Sequence, residues 1–333
     1  MSATPVIDVV ALGHPLVDVL THETDDVVAR AGLERGAMTM VDAVRSDEIY
    51  AQLGPAQETS GGSAANTTVG VASFGGKAAF IGRVADDAFG KVFAHDLRAA
   101  GVEFDVSPAI DGSPTGRCLV IVAADAERTM CTYLGAGAEI DARDVDADRI
   151  AGAAVTYLEG YLWDEPAAKD AIRRAASLAQ DAGRKVAFTL SDPFCVERHR
   201  DEFRELVASS VDVLFANEDE ITMLYEVDAF DDAARLVAES CEIAALTRGA
   251  QGSVVVGPRE RHEIAAVPIA KLVDTTGAGD VYAAGFLFGL THGHDLATCG
   301  NLGALGAAEV ISHLGPRPRS PLAGQARRLL APG

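Results

Sequence analysis

Short apolar runs recur along this chain at 7–12, 78–81, 155–159, 186–189, 213–216, 243–247 and 253–256. Most are separated by longer segments with helical periodicity, expected at 46–53, 64–74, 88–100, 165–182, 201–209, 218–225, 231–239, 277–290 and 295–312. The runs are of strand length, and the segments between them repeat apolar side chains every three or four positions. Strands that alternate with helices pair in parallel, because each chain segment returns to the same end of the sheet through a crossover. Continuous apolarity within the runs marks strands covered on both faces. The chain is therefore expected to be α/β, with a largely parallel sheet between helices.

Two stretches break the alternation. One is 17–41, with the strand-like Met38-Thr39-Met40-Val41; the other is 115–134, with apolar runs at 118–123 and 129–134 around Asp125-Ala126-Glu127. Neither shows a crossover helix between its strands, so a small separate sheet is expected over one end of the main one. Such a sheet serves as a lid over a site at the strand ends. No repeat or linker splits the chain, so residues 1–333 read as one domain, with the lid at about 14–45 and 108–136.

Charge narrows the function classes. A net charge of −21 with no basic stripe excludes nucleic acid as a partner. Binding a polyanion then depends on helix N-termini, a few placed arginines and a divalent metal. Five scattered cysteines without metal-ligand spacing read as reduced thiols. Residues 1–10 lack the pattern of a secretory leader and no apolar run reaches membrane-spanning length, so a cytoplasmic location without membrane partners is expected.

The chemistry concentrates in Asp274-Thr275-Thr276-Gly277-Ala278-Gly279-Asp280. Two acids bracket a glycine-rich turn that opens into an apolar helix. A helix beginning at Gly-Ala-Gly presents bare backbone N–H groups and the positive end of its dipole, which together form an anion site. Asp280 in the first turn would stand beside the bound anion, where a base belongs in phosphoryl transfer. The same pattern also serves as a plain helix start.

Other groups are weaker alone. Gly61-Gly62-Ser63-Ala64-Ala65-Asn66 joins a flexible turn to a polar first-turn residue suited to sugar hydroxyls. Asp18 follows the first strand, where ligands bind in open α/β sheets. Asn217 and Glu220 suit either a hydrated Mg²⁺ or a capping box. Thr247, Gly249 and Gly252 line a loop fit for a nucleotide, and Arg128 sits in the expected lid. No Walker-type phosphate loop, nucleophile elbow, zinc-protease pair or protein-kinase catalytic loop is present.

Together and in this order, these motifs resemble the PfkB family of ribokinase-like small-molecule kinases, over nearly the whole chain. Within it, Gly13-x-Pro-Leu-x-Asp18, Thr115-Gly116, Arg128 and Glu159-Gly160-Tyr161-Leu162-Trp163 are similar to the bacterial adenosine-kinase branch. The resemblance implies a three-layer α/β/α fold with a small β-sheet lid. It implies transfer of the γ-phosphoryl group of ATP, with Mg²⁺, to the primary 5′-hydroxyl of a ribose-containing substrate, adenosine first. A family member acting on ribose, fructose or a related sugar is the alternative, and a catalytically silent nucleotide-binding regulator is a third.

By position, Asp280 would be the base, Gly277, Ala278 and Gly279 the anion hole, and Arg128 the cation that closes from the lid. Asp18, Gly62, Asn66 and Tyr161 would hold the substrate. Asn217, Thr247, Gly249, Gly252 and Thr275 would line the ATP site with Gly277 and Gly279, and Glu220 would meet Mg²⁺ through water. Asp274 and the loop near Gly315 would take a monovalent cation, K⁺. One departure bears on the acceptor: leucine follows Tyr161 where animal adenosine kinases carry the second residue of an aromatic pair. A monomer and a homodimer are both compatible with the sequence.

Overall fold

The computed structural model describes residues 5–106, 108–123 and 127–331. Its main sheet has nine strands in the order Arg261–Ile264, Ser253–Val256, Ile243–Thr247, Val213–Asn217, Lys185–Thr189, Ala153–Glu159, Ile7–Leu12, Ala78–Ile81 and Val102–Glu103. All neighbours pair in parallel except the last two strands of the chain, which return as an antiparallel meander after Ile243–Thr247. Those two need no crossover because short turns connect them.

Alternation along each strand divides the core into two layers. On Ile7–Leu12, Val10 and Leu12 belong to the layer that also holds the apolar faces of Pro166–Asp181 and Glu218–Tyr225, while Val9 and Ala11 belong to the layer of Ser63–Phe74 and Ala278–Thr291. Both faces are covered, which makes the fold a three-layer α/β/α sandwich. Ala278–Thr291 is buried on most sides, packed between Ser63–Phe74 and Leu296–Val310. Gly285 permits that approach, since a methyl there would strike the Leu302 carbonyl.

A second sheet of five strands runs in the order Met38–Met40, Arg128–Gly135, Thr115–Val122, Leu16–His22 and Gln57–Gly61. It joins the carboxyl end of Ile7–Leu12 through Gly13-His14-Pro15, so it stands over the ends of the parallel strands. Two expectations need correction. Gln57–Gly61 had no apolar alternation to mark it as a strand; it is held as an edge by backbone pairing to Leu16–His22. A short helix, Asp25–Arg30, does separate Leu16–His22 from Met38–Met40, and those strands are not neighbours. Of the expected turn, Asp125 and Ala126 lie outside the described residues. Among the described residues no helix is long and apolar enough to cross a membrane.

Candidate active site

The turn before Ala278–Thr291 has the geometry that its glycines require. Gly277 occupies the left-handed region at φ 77°, and a side chain there would strike the Pro316 carbonyl. Gly279 has the opposite environment: it is exposed, and a methyl added to it would meet nothing within 4 Å. Among the described residues no side chain caps this helix; Ala278 N donates to the Thr275 carbonyl at 3.2 Å, and the Gly279 and Asp280 N–H groups are left for an anion.

Asp280 turns its carboxylate to one side of this turn. Oδ1 accepts from Ser63 Oγ at 2.6 Å and Oδ2 from Asn66 Nδ2 at 3.0 Å. Loss of solvent pushes its pKa up to about 6, opposed by those two hydrogen bonds and by the Arg317 charge. Asp18, on Leu16–His22, lies against Gly61, where any side chain would collide with its carboxyl group. It too is pushed up to about 6 by burial, with Arg317 and Arg128 pulling the other way.

The other side of the turn opens on a cleft of about 650 Å³. Thr247, Gly249, Gly252, Thr275, Ala278 and Gly279 line one part of it, and Val267, Ile269, Leu272, Ala304, Ala307 and Ile311 give it an apolar end. A cleft of this size with an apolar end and an uncapped helix start suits a nucleotide. The side that carries Asp280 and the cleft thus meet at Gly279.

Several residues are bound to protein groups in ways the sequence did not show. Asn66 is buried, and its Oδ1 accepts from Arg317 Nε at 3.0 Å, so both ends of its amide are engaged. Gly62, at φ 96°, starts the Ser63–Phe74 helix without a side-chain cap of its own. The cap comes from Glu159, whose Oε2 accepts from Ala64 N at 2.8 Å and whose Oε1 accepts from His14 N at 2.6 Å. Full burial pushes Glu159 up to about 7, and burial drives His14 down to about 4.

Asn217 and Glu220 form a complete capping box: Glu220 N donates to Asn217 Oδ1 and Asn217 N to Glu220 Oε2. Asn217 Nδ2 also donates to Glu220 Oε1, and burial pushes Glu220 up to about 7. Among the described residues no cluster of three metal-ligating side chains occurs. Both oxygens of the Glu220 carboxylate accept from Asn217.

Arg128 does come over from the second sheet. Its guanidinium donates to Asp274 Oδ2 at 2.5 Å and to Thr276 Oγ1 at 2.6 Å. Asp274 also accepts from Gly315 N, Thr276 N and Thr276 Oγ1. Both oxygens of the expected cation ligand are thus occupied by donors in this state.

Trp163 is core: it packs edge-on against Phe203 and donates to Glu202 Oε2 at 2.9 Å. Tyr161 is half-buried, with its N–H and hydroxyl both directed to Ser191. Ser191 is a non-glycine residue at φ 76°, a strained conformation at a strand end beside the site.

Sequence reasoning missed Arg317, Ser63, Glu159 and the 266–272 wall of the cleft. Ser63 had a signal, since it stands three residues before Asn66 on one helix face. Arg317 had none, lying in the proline-rich segment 315–321, which carries no helical or strand periodicity.

The chain is similar to known proteins over most of its length. Residues 37–322 match the model of the pfkB family carbohydrate kinases. The chain is 50% identical to the adenosine kinase from Sinorhizobium meliloti, with a TM-score of 0.90 over 98% of this chain and 99% of that one. It is 46% identical to a probable sugar kinase from Rhizobium etli, with a TM-score of 0.90 over 97% and 98%. It is also 29% identical to the adenosine kinase of Saccharomyces cerevisiae, over 92% of this chain and 95% of that protein.

Proposed function

The chain belongs to the pfkB family of carbohydrate kinases, and we propose that its acceptor is the primary 5′-hydroxyl of a ribose-containing nucleoside, adenosine. As a family member it is a phosphotransferase with an alcohol group as acceptor and uses ATP with Mg²⁺. The observation that carries the assignment of roles is the layout around Gly279. A carboxylate with a pKa near 6 stands on one face of an uncapped helix start, and a nucleotide-sized cleft opens on the other.

In this reading MgATP lies in the cleft, with its base toward Val267, Ile269 and Leu272. Thr247, Gly249, Gly252 and Thr275 border its ribose and phosphates. Asn217 and Glu220 hold the adjoining strand end and reach the metal only through water. The γ-phosphoryl group meets the Gly277-Ala278-Gly279 turn, where the Gly279 and Asp280 N–H groups have no backbone acceptor among the described residues. Asp280 accepts the proton of the hydroxyl as that oxygen attacks phosphorus and the bond to ADP breaks. Placement and charge neutralisation dominate phosphoryl transfer, while a general base contributes about 10²–10⁴-fold.

Arg128 leaves Asp274 to meet the phosphoryl group as the second sheet closes. Asp274 is its anchor in this state; a K⁺ ion there would have to displace the guanidinium. Asp18 takes the sugar diol above Gly62, and the open part of the Tyr161 ring faces the purine. The acceptor side favours a neutral substrate, because Asp18, Asp96 and Asp280 surround one cation, Arg317.

One observation favours a sugar without a base as the second reading: Trp163 is sealed in the core and Tyr161 is tied back to Ser191, which leaves little aromatic surface. Incubation with ATP, Mg²⁺ and a panel of nucleosides and sugars, following ADP, separates the readings. Turnover with adenosine well above that with ribose or fructose is expected. Turnover with a free sugar alone overturns the nucleoside assignment, and no ADP with any acceptor returns the chain to a silent nucleotide binder.

A further inference from the structure

Arg317 lies in the loop after Leu296–Val310, 37 residues beyond the proposed base. Its neighbours are not those of a surface turn. Nε donates to Asn66 Oδ1 at 3.0 Å, and Nη1 donates to Ser60 Oγ on the edge strand of the second sheet. Nη2 is shut off from solvent and has no hydrogen-bond partner among the described residues. A buried donor without an acceptor is destabilising, so its retention calls for a function. The residue just before it, Pro316, sets its carbonyl against Gly277. One short segment therefore touches both the anion turn and the amide beside Asp280.

The chain of contacts is directional. A guanidinium only donates, so the Asn66 oxygen must face Arg317. The amide nitrogen is then left to face Asp280, and it donates to Oδ2 at 3.0 Å. With Ser63 on the other oxygen, the carboxylate is held at both ends. We propose that Arg317 is a positioning residue for phosphoryl transfer, locking the Asn66 amide toward Asp280 and biasing that carboxylate to its ionised form.

The proposal rests on the reading of Asp280 as the base. It changes the part assigned to Asn66, whose amide now serves the base in place of a sugar hydroxyl. Charges from several elements act here. Arg317 faces Asp18 from Leu16–His22, Asp96 from Ala88–Ala99, and Asp280. Asp280 in turn acts on Asp18, on Tyr157 and Glu159 of the central strand, and on Tyr161. Arg128 acts on Asp18 from the second sheet. Arg317 is the one cation that acts on both Asp18 and Asp280 among their resolved influences, since Arg128 reaches only the first. Burial lowers its own pKa to about 10, which leaves it protonated at neutral pH.

The test is the pH dependence of kcat/KM for full-length Arg317→Met and Arg317→Lys, with ADP-induced thermal stabilisation as the check on folding. Arg317→Met is expected to move the acid limb upward by about one pH unit and to lower kcat at least tenfold, with the acceptor KM within about threefold. Arg317→Lys restores the charge without the planar fork, so its limb stays near that of the wild type while kcat is intermediate. An unmoved limb in Arg317→Met, or a loss confined to KM, overturns the proposal. If Arg317→Met does not fold, Arg317→Lys decides: a limb displaced as far as one unit overturns it, and an unmoved limb with reduced kcat supports it. Asp280→Asn run alongside isolates the underlying reading, because wild-type turnover in that variant removes Asp280 as base whatever Arg317 does.

Discussion

Gly277 and Gly279 are two residues apart in one turn, yet replacing each by alanine should break the protein in different ways. At Gly277 the backbone sits at φ 77° and the new methyl would strike the Pro316 carbonyl. The left-handed conformation costs about 1–2 kcal/mol for a residue with a side chain, and relief of the clash adds about 1–2 kcal/mol. Unfolding entropy near 2.1 cal/mol/K per residue gives roughly 0.7 kcal/mol/K for 333 residues. Gly277→Ala should therefore lower Tm by about 3–6 °C.

At Gly279 the methyl meets no protein atom within 4 Å, and the residue is already helical. Replacing glycine by alanine there favours the fold by about 0.5–1 kcal/mol, so Tm should hold or rise by about 1 °C. On the proposed placement, however, the methyl stands where the phosphoryl group approaches the N–H groups. Losing one aligned donor costs about 10²–10³ in kcat. Calorimetry on both variants, with initial rates of ADP formation at saturating MgATP and acceptor, reads the two effects separately. A Gly279→Ala enzyme with unchanged Tm and turnover within threefold of wild type would refute the placement of the phosphoryl group.

Further expectations concern the acids and the single tryptophan. Asp280→Asn should reduce kcat by at least about 10² while ADP still stabilises the protein; Asp18→Ala should act mainly on the acceptor KM, and an unchanged KM would remove Asp18 from the sugar. Asp18 and Asp280 near 6, and Glu159 and Glu220 near 7, all lie above their ordinary values of 3.8 and 4.5. Their stabilising contribution is complete below those ordinary values and is lost as pH rises through 6–7. His14, lowered from 6.5 to about 4, acts in the opposite sense but is one group against four. Thermal melts should thus give a higher Tm at pH 5.5 than at pH 8, and the reverse order would mean these carboxyl groups are not desolvated. Trp163 is the one tryptophan, so saturating nucleoside should leave its emission maximum unchanged; a marked shift would place it at the ligand.

The parallel sheet was legible because burial on both faces writes continuous apolar runs, and 7–12, 78–81, 243–247 and 253–256 match the observed strands residue for residue. Edge strands carry no such mark. Gln57–Gly61 and Arg261–Ile264 are mostly polar or exposed, and only their pairing partners make them strands. Within the site, the Gly-Ala-Gly turn was legible because its residue types are dictated by the backbone. The engagement of Asn66 was not. Its neighbour Arg317 lies 251 residues away in sequence, and no local pattern encodes a contact of that range. The pairing of Asp274 with Arg128, 146 residues away, was equally hidden from local sequence.

The separation between Asn66 and Arg317 also bears on how the protein is made. Ser63 and Asp280 are 217 residues apart, and Arg317 closes the cluster from near the end of the chain. Contacts of such span form late, because the whole intervening segment must first be ordered. During synthesis from the N-terminus, a nascent chain emerged to about residue 300 already carries all nine strands of the main sheet and the helix bearing Asp280. It still lacks the loop that sets Pro316 on Gly277 and Arg317 on Asn66. The hydrogen-bonded cluster around Asp280 is therefore completed only after every strand of the main sheet has been made, so a ribosome-bound chain can pair its sheet before that cluster closes.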